Sequence, residues 1–396
     1  MKRVLTYFRA IFILALILTL LVGCNKDDAS EPSSAIPSGQ EGISSVRTGA
    51  KQQGVTTLAN GFECTDSGFY SLCFFELVQG NFLVYGDHNS DTIVKLCSRP
   101  DCTHTENTCN AYFDSIYDNI CYYNKHLYTL ERGGSGFSLV RMDLDGRNRT
   151  VIMDSSKTIT GYKQSSSSAI MSGFAFFTLK KLDDQGNEIG NSFYYKLDGS
   201  MTAPEESPMG MPYGSDDDTI IFMLSTEDGV DKEYYSWTPE DGMKLLAVEP
   251  QEATGYYRAD HCYQMIENKI YRIDYATGEK KLLLDTGLTG THRMRCFPEF
   301  IVVMDATPYF SDEPPLTSQT LRFYNWNFEL VDTLTVDYPI SIIEYSHIIC
   351  GETPNRFLLC SDLSFMPRWY IEKSEIGSGN LTIHPYNTPA DLVWEE

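Results

Sequence analysis

The chain has 396 residues, with 31 Lys and Arg against 54 Asp and Glu, a formal net charge of −23 and 42% hydrophobic residues. That apolar content supports a folded body. So acidic a chain excludes nucleic acid as a partner, because phosphate neutralisation needs clustered cations, and it is repelled by anionic lipid, so any membrane association needs a dedicated anchor.

The N-terminus supplies an anchor signal. Lys2, Arg3 and Arg9 precede or border an apolar run from Ile11 to Val22. Its 12 residues are too few for an ordinary membrane span of about 20. The run ends in Leu21-Val22-Gly23-Cys24, which resembles the lipobox of a bacterial lipoprotein signal. The resemblance implies a signal peptide over 1–23, cleavage before Cys24, and lipid, including palmitate-like acyl chains, on the sulfur and new amino group of Cys24. The other reading is an uncleaved anchor helix. Either one places the rest of the chain outside the cytoplasmic membrane and attached to it. Residues 24–54 are rich in Ser, Pro, Gly and charge, with almost no apolar periodicity. They bury too little to offset chain entropy and read as a flexible tether, leaving 55–396 as the folded domain.

After the signal no segment has helical periodicity. Apolar runs of about five to eight residues, bounded by Gly, Asp, Asn and Ser, read as strands, and 25 Tyr and 21 Phe suit half-buried sheets. One strand–turn–strand phrase recurs about seven times at a spacing of roughly 37–53 residues, the range of propellers and arrays. Its plainest copies are Leu139–Met153 and Ile270–Leu284. The expected units are Phe69–Phe113, Ser115–Asp154, a third around Phe174–Leu197, a fourth over Thr219–Val248, Ala253–Asp285, His292–Val336 and Ile340–Tyr386. Asn268 and Thr277-Gly278 supply tight turns in the fifth. The fold class is all-β, a β-propeller of seven four-stranded blades. Six or eight blades also fit the uneven spacing, and a pair of β-sandwiches is the runner-up. A strand from Gly54–Asn60 would close the ring by joining the last blade.

The first copy is different. Its third and fourth strands are joined by Cys97-x4-Cys102-x-His104-x4-Cys109. Three thiols and an imidazole match the donors of a tetrahedral zinc site. Cys102 and His104 share a face of an extended backbone, and Pro100 bends the chain so that Cys97 can return toward them. The spacing is not that of a zinc finger, ribbon or knuckle. A disulfide staple is the alternative, as is a cluster of reduced thiols. A staple leaves one odd thiol among the three, which favours metal. Outside this stretch, Cys64, Cys73, Cys121, Cys262, Cys296, Cys350 and Cys360 sit in strand-like runs and read either as disulfides or as buried thiols. A closed four-ligand site in a third-to-fourth turn would brace the first blade, on the face away from the usual ligand loops.

The lipobox, tether, aromatic-rich repeats and the stretch Leu96, Cys97, Pro100, Cys102, His104, Cys109, Ala111, Tyr112 together resemble uncharacterised lipoproteins of anaerobic Gram-positive bacteria. The Asp143, Asp145, Gly146 hairpin is similar to the repeats of TolB-like propellers. The resemblance implies fold and location, and no reaction.

Other motifs are weaker. Asp143–Asn148 lacks the bidentate acid of a calcium loop and reads as a hairpin turn, and Asp216–Asp218 reads as a solvated loop. No nucleophile elbow, phosphate loop or zinc-protease helix motif is present. His261, His292 and His347 fall near strand starts. Three segments read as loops on the ligand face: Ser155–Ser168, Ala203–Asp218 and Asp305–Gln319. Tyr213, Asp305, Tyr309, Phe310 and Asp312 are the candidates there to rim a pocket for a sugar or peptide. The expected function is a membrane-anchored binding or interaction module for a polar ligand or an envelope protein. The alternatives are a polysaccharide-acting hydrolase or lyase, and a structural part of an envelope complex.

Overall fold

The computed structural model describes residues 62–388, less 76–79, 98, 100–101, 103, 105–107, 114–116, 134–135, 163, 209–211, 217–218, 227–228, 251–253, 259, 307–317, 338–348 and 361–365. The signal, Cys24, the tether and the expected closing strand lie outside the described residues. So do His347, Tyr309, Phe310 and Asp312.

Seven antiparallel sheets follow one another along the chain. Blade 1 holds β1 (Phe62–Cys64), β2 (Gly68–Phe75), β3 (Gly80–Asp87), β4 (Ile93–Lys95) and β5 (Tyr112–Phe113). Blade 2 holds β6 (Tyr117–Tyr123), β7 (His126–Arg132), β8 (Phe137–Met142) and β9 (Thr150–Asp154). A one-turn helix α1 (Ser155–Thr158) leads to blade 3: β10 (Gln164–Met171), β11 (Phe174–Leu182), β12 (Glu188–Lys196) and β13 (Glu205–Glu206). Blade 4 is β14 (Pro212–Asp216), β15 (Thr219–Ser225), β16 (Asp231–Thr238) and β17 (Gly242–Pro250). Blade 5 is β18 (Thr254–Tyr257), β19 (His261–Ile266), β20 (Lys269–Asp274) and β21 (Lys280–Asp285). Blade 6 is β22 (His292–Cys296), β23 (Ile301–Asp305), β24 (Ser318–Tyr324) and β25 (Leu330–Asp337). Blade 7 is β26 (Ile349–Glu352), β27 (Arg356–Leu359), β28 (Trp369–Glu372) and β29 (His384–Pro385).

The second strands, such as β11, β15 and β27, and the third strand β3 bury both faces, because successive side chains enter different seams. In β3, Leu83 packs with Ile120, Leu127 and Val140 of blade 2. Its neighbours Phe82 and Val84 pack with Leu358 and Tyr370 of blade 7. In β11, Phe177 faces blade 2 and Phe176 faces blade 4. Each of the seven seams has its own apolar cluster, the last joining blade 7 to blade 1. The chain is therefore a closed seven-bladed β-propeller.

First strands are largely buried, as in β14, whereas fourth strands such as β21 are largely exposed. The first strands thus line the axis and the fourth strands the rim. Alternating strand direction then puts first-to-second and third-to-fourth turns on one face. Second-to-third turns and blade-to-blade connections lie on the other. Glu267 and Asn268, with φ of 48° and 61°, make the tight second-to-third turn of blade 5 where Asn268 predicted one.

Blade 7 is complete with four strands of its own. The described closure joins Asp91–Ile93 to Asn387: the Ile93 amide donates to the Asn387 carbonyl at 2.9 Å, and the Asn387 amide to the Asp91 carbonyl at 2.7 Å. Arg356 adds a bond from Nη1 to the Ser90 carbonyl at 2.6 Å. Among the described residues no helix is long and apolar enough to cross a membrane.

Candidate metal centre

The Cys/His stretch does not replace a third-to-fourth turn, as the sequence reading had it. That turn is residues 88–92. β4 pairs with Val84–Gly86 of β3, and β5 pairs with Asn81 and Phe82 of the same strand. The rim strand of blade 1 is thus split, and the stretch bulges out between its halves. The pairing is lost after Lys95 and resumes at Tyr112 and Phe113.

Within the bulge the candidate donor atoms of Cys97, Cys102, His104 and Cys109 all lie within 4.8 Å of one another. His104 Nδ1 is 3.3 Å from Cys109 Sγ. Tetrahedral zinc with sulfur at about 2.3 Å and nitrogen at about 2.0 Å would space its donors about 3.5–3.8 Å apart. The cluster is slightly wider than that, and small side-chain rotations would bring its donors to this spacing. His104 has φ of 55°, a left-handed conformation uncommon outside glycine. Cys109 is buried, and the other three are partly exposed. Cys97, Cys102 and Cys109 are not joined to one another by a disulfide.

The electrostatics suit a cation. Burial, then the Cys102 and Cys97 sulfurs, push the Cys109 thiol up to about 12, against a lowering bond from the Ala111 amide. Burial also opposes ionisation of Cys102. Bonds from the His104 amide, Cys109, Arg99 and Cys97 outweigh it and hold this thiol below its ordinary value. Arg99 Nη2 donates to Cys102 Sγ at 2.9 Å and to Thr108 Oγ1 at 3.3 Å. Three crowded sulfurs that cannot all ionise alone would be discharged together by a divalent ion. Arg99 went unnoticed in the sequence reading, although its place inside the stretch was a usable signal.

The ligand-loop candidates lie elsewhere. Tyr213 is on β14, not on a loop, and its ring meets Tyr234 and Tyr257 at 5.5 Å in the seam of blades 4 and 5. Asp305 ends β23, where Arg322 Nη1 donates to its Oδ1 at 2.7 Å and the Thr320 amide to its Oδ2 at 3.0 Å. His292 Nε2 is 3.2 Å from the same carboxylate. Burial raises the Asp305 pKa, but Arg322 and Thr320 together hold it below the usual carboxylate value. The expected loop at Ser155–Ser168 contains α1 and the start of β10, and Ala203–Asp218 contains β13 and β14. Asp216 is buried and pairs with Arg258 at 3.8 Å rather than being solvated. The Asp143–Asn148 turn is closed by its own bonds, the Asp143 amide donating to the Arg147 carbonyl at 2.9 Å.

One groove is formed by described residues on the face of the first-to-second turns. It holds about 550 Å³ between blades 6 and 7, lined by Glu299, Phe300, Asn355, Glu372 and Lys373. Lys373 Nζ bridges Glu299 at 2.9 Å and Glu352 at 2.7 Å.

Fold and site together define a seven-bladed β-propeller with a Cys3His cluster in the rim of its first blade. Neither a family model nor a curated protein matches the chain. Solved structures match it distantly. Dihydro-heme d1 dehydrogenase NirN in complex with DHE is 11% identical, with a TM-score of 0.43 over 85% of this chain and 67% of that one. PorZ, an essential surface component of the type-IX secretion system of Porphyromonas gingivalis, is 10% identical, with a TM-score of 0.42 over 85% of this chain and 39% of that one. The β-propeller domain of the Trilobed protease from Pyrococcus furiosus is 10% identical, with a TM-score of 0.39 over 69% of this chain and 99% of that domain.

Proposed function

We propose that the chain is an extracytoplasmic lipoprotein, held at the membrane by lipid on Cys24, whose propeller is a binding or interaction module braced by zinc at Cys97, Cys102, His104 and Cys109. The convergence of three sulfurs and an imidazole carries the zinc assignment. Its place on the rim, away from the axis, supports a brace rather than a catalytic metal. Anchoring rests on Leu21-Val22-Gly23-Cys24 after a run too short to span. The module reading rests on the groove between blades 6 and 7. Its aromatic wall, carboxylates and lysine suit a polar ligand such as a sugar or peptide.

Three measurements test this. Labelled fatty acid should enter the full-length chain and be lost in Cys24→Ser, and an unlabelled wild type would refute anchoring. Elemental analysis should find one zinc per chain, lost in His104→Ala, and a chain that takes up no zinc would refute the brace. Cell-surface polysaccharide should be retained without new reducing ends, whereas their release would favour an enzyme.

A further inference from the structure

The bulge of blade 1 is gripped by blade 2. Arg149, at the end of the Asp143–Arg149 hairpin, reaches across the seam. Its Nη1 donates to the Tyr112 carbonyl at 2.8 Å, and its Nη2 to the Cys109 carbonyl at 3.4 Å and to the Asn110 carbonyl. The guanidinium lies 3.7 Å from the centre of the Phe113 ring, which is buried. Its Nε donates to the Gly146 carbonyl at 3.2 Å, tying it to its own hairpin. Asn110 Nδ2 returns a bond to the Asp145 carbonyl at 3.3 Å. Gly146, with φ of 76°, lies so close that a Cβ there would stand 2.7 Å from the Asn110 carbonyl oxygen.

Cys109 therefore has two roles, its sulfur in the donor cluster and its carbonyl in the grip of Arg149. We propose that metal occupancy of the Cys97–Cys109 centre is coupled through Arg149 to the seam between blades 1 and 2, making the centre a latch on that seam. The inference rests on the zinc reading above. Among the described residues the bulge is tied to its own blade at its two ends, by β4 and β5, of three and two residues, and by the Leu96 amide to the Leu83 carbonyl at 2.9 Å and the Leu83 amide to the Ala111 carbonyl at 2.8 Å. An ion joining Cys97 to Cys109 removes most of the loop's freedom and fixes where the carbonyls of 109–112 point. Without it those acceptors are no longer held in one arc, and the hairpin loses its anchor. Coupling is reciprocal, so Arg149 in turn raises the affinity for metal by holding the loop in its bound shape.

The test uses the full-length chain in detergent. Hydrogen exchange is followed with zinc bound and after excess chelator, and zinc affinity is measured against a chromophoric chelator. Chelation should accelerate exchange in 97–113 and in 143–150, but not in the equivalent blade-5 hairpin at 274–279. Arg149→Gln should still take one zinc but about 10- to 100-fold more weakly, and Asn110→Ala, a milder change, should weaken it less. Acceleration confined to 97–113, or unchanged zinc affinity in both variants, would overturn the latch and leave the zinc brace standing. No zinc uptake by the wild-type chain would overturn both.

Discussion

Glu249 carries a sharply defined pH dependence. It stands on β17 with 1% of its surface exposed, in the seam of blades 4 and 5. Its carboxylate accepts bonds from the Tyr257 hydroxyl and the Gln264 amide, with the Cys262 thiol at 3.9 Å. Tyr234 stacks on Tyr257 at 3.9 Å and seals the site. Burial pushes the carboxyl up to about 7 from an ordinary 4.5, against the two hydrogen bonds and the more distant Lys232 and Lys280. Between these values the folded chain keeps a proton that the unfolded chain has lost. The stability tied to this group is thus full below pH 4.5, falls as pH rises, and levels off above pH 7. A shift of this size corresponds to about 3 kcal/mol. Glu249→Gln is neutral at every pH. Its stability relative to wild type, from urea midpoints, should grow by about 2 kcal/mol between pH 5 and pH 8. An offset equal at both pH values would show that the carboxyl titrates normally and would refute the reasoning.

Three further outcomes follow from packing and pairing. Phe177 is fully buried between the rings of Phe137 and Phe193, at 5.6 and 5.8 Å, so Phe177→Ala should lower unfolding free energy by about 3–5 kcal/mol. A loss under about 1 kcal/mol in denaturant titration, several-fold below what such cavities cost, would mean the seam repacks. Arg356 bonds Glu372 at 2.8 Å and lies 4.0 Å from the Tyr370 ring centre. Arg356→Ala should cost about 3 kcal/mol and speed amide exchange at Ile93 and Asn387, whereas unchanged exchange there would remove it from the closure. Asp305→Ala leaves Arg322 and the Thr320 amide without this acceptor and should cost about 2 kcal/mol by thermal unfolding. Unchanged stability with lost polysaccharide retention would instead make Asp305 a ligand residue.

Much of the fold was legible because each blade is local. β15 (Thr219–Ser225) and β20 (Lys269–Asp274) fall inside the expected fourth and fifth units, Thr219–Val248 and Ala253–Asp285, since period-two alternation and flanking turn residues act over a few positions. β13 was hard to see because Glu205-Glu206 is exposed and offers no apolar residue, its pairing resting on the backbone and on the Tyr194 hydroxyl donating to Glu205 Oε2 at 2.6 Å. The Ser-rich stretch read as a loop although Gln164–Met171 is a strand, because Ser gives no apolar alternation. Asp216 read as solvated because its partner, Arg258, lies in the next blade. The candidate metal donors were legible as a group, since four soft or borderline side chains within 13 residues are a local pattern. Arg149 was not, because it reaches the bulge from 37 to 40 residues away.

The sequence by itself determined the strand runs, their turns, the repeat and the donor set, all of which depend on neighbours in the chain. Only the tertiary structure decided the blade count, because that is counted in seams, and each seam joins side chains from two separate repeats. It also showed, among the described residues, a closure through Asn387, and that the Cys/His stretch splits a rim strand instead of forming a turn. The physical reason is the same in each case. A strand's hydrogen-bonding edge and its two side-chain faces are satisfied by whichever segments lie beside it, and local pattern does not record which those are.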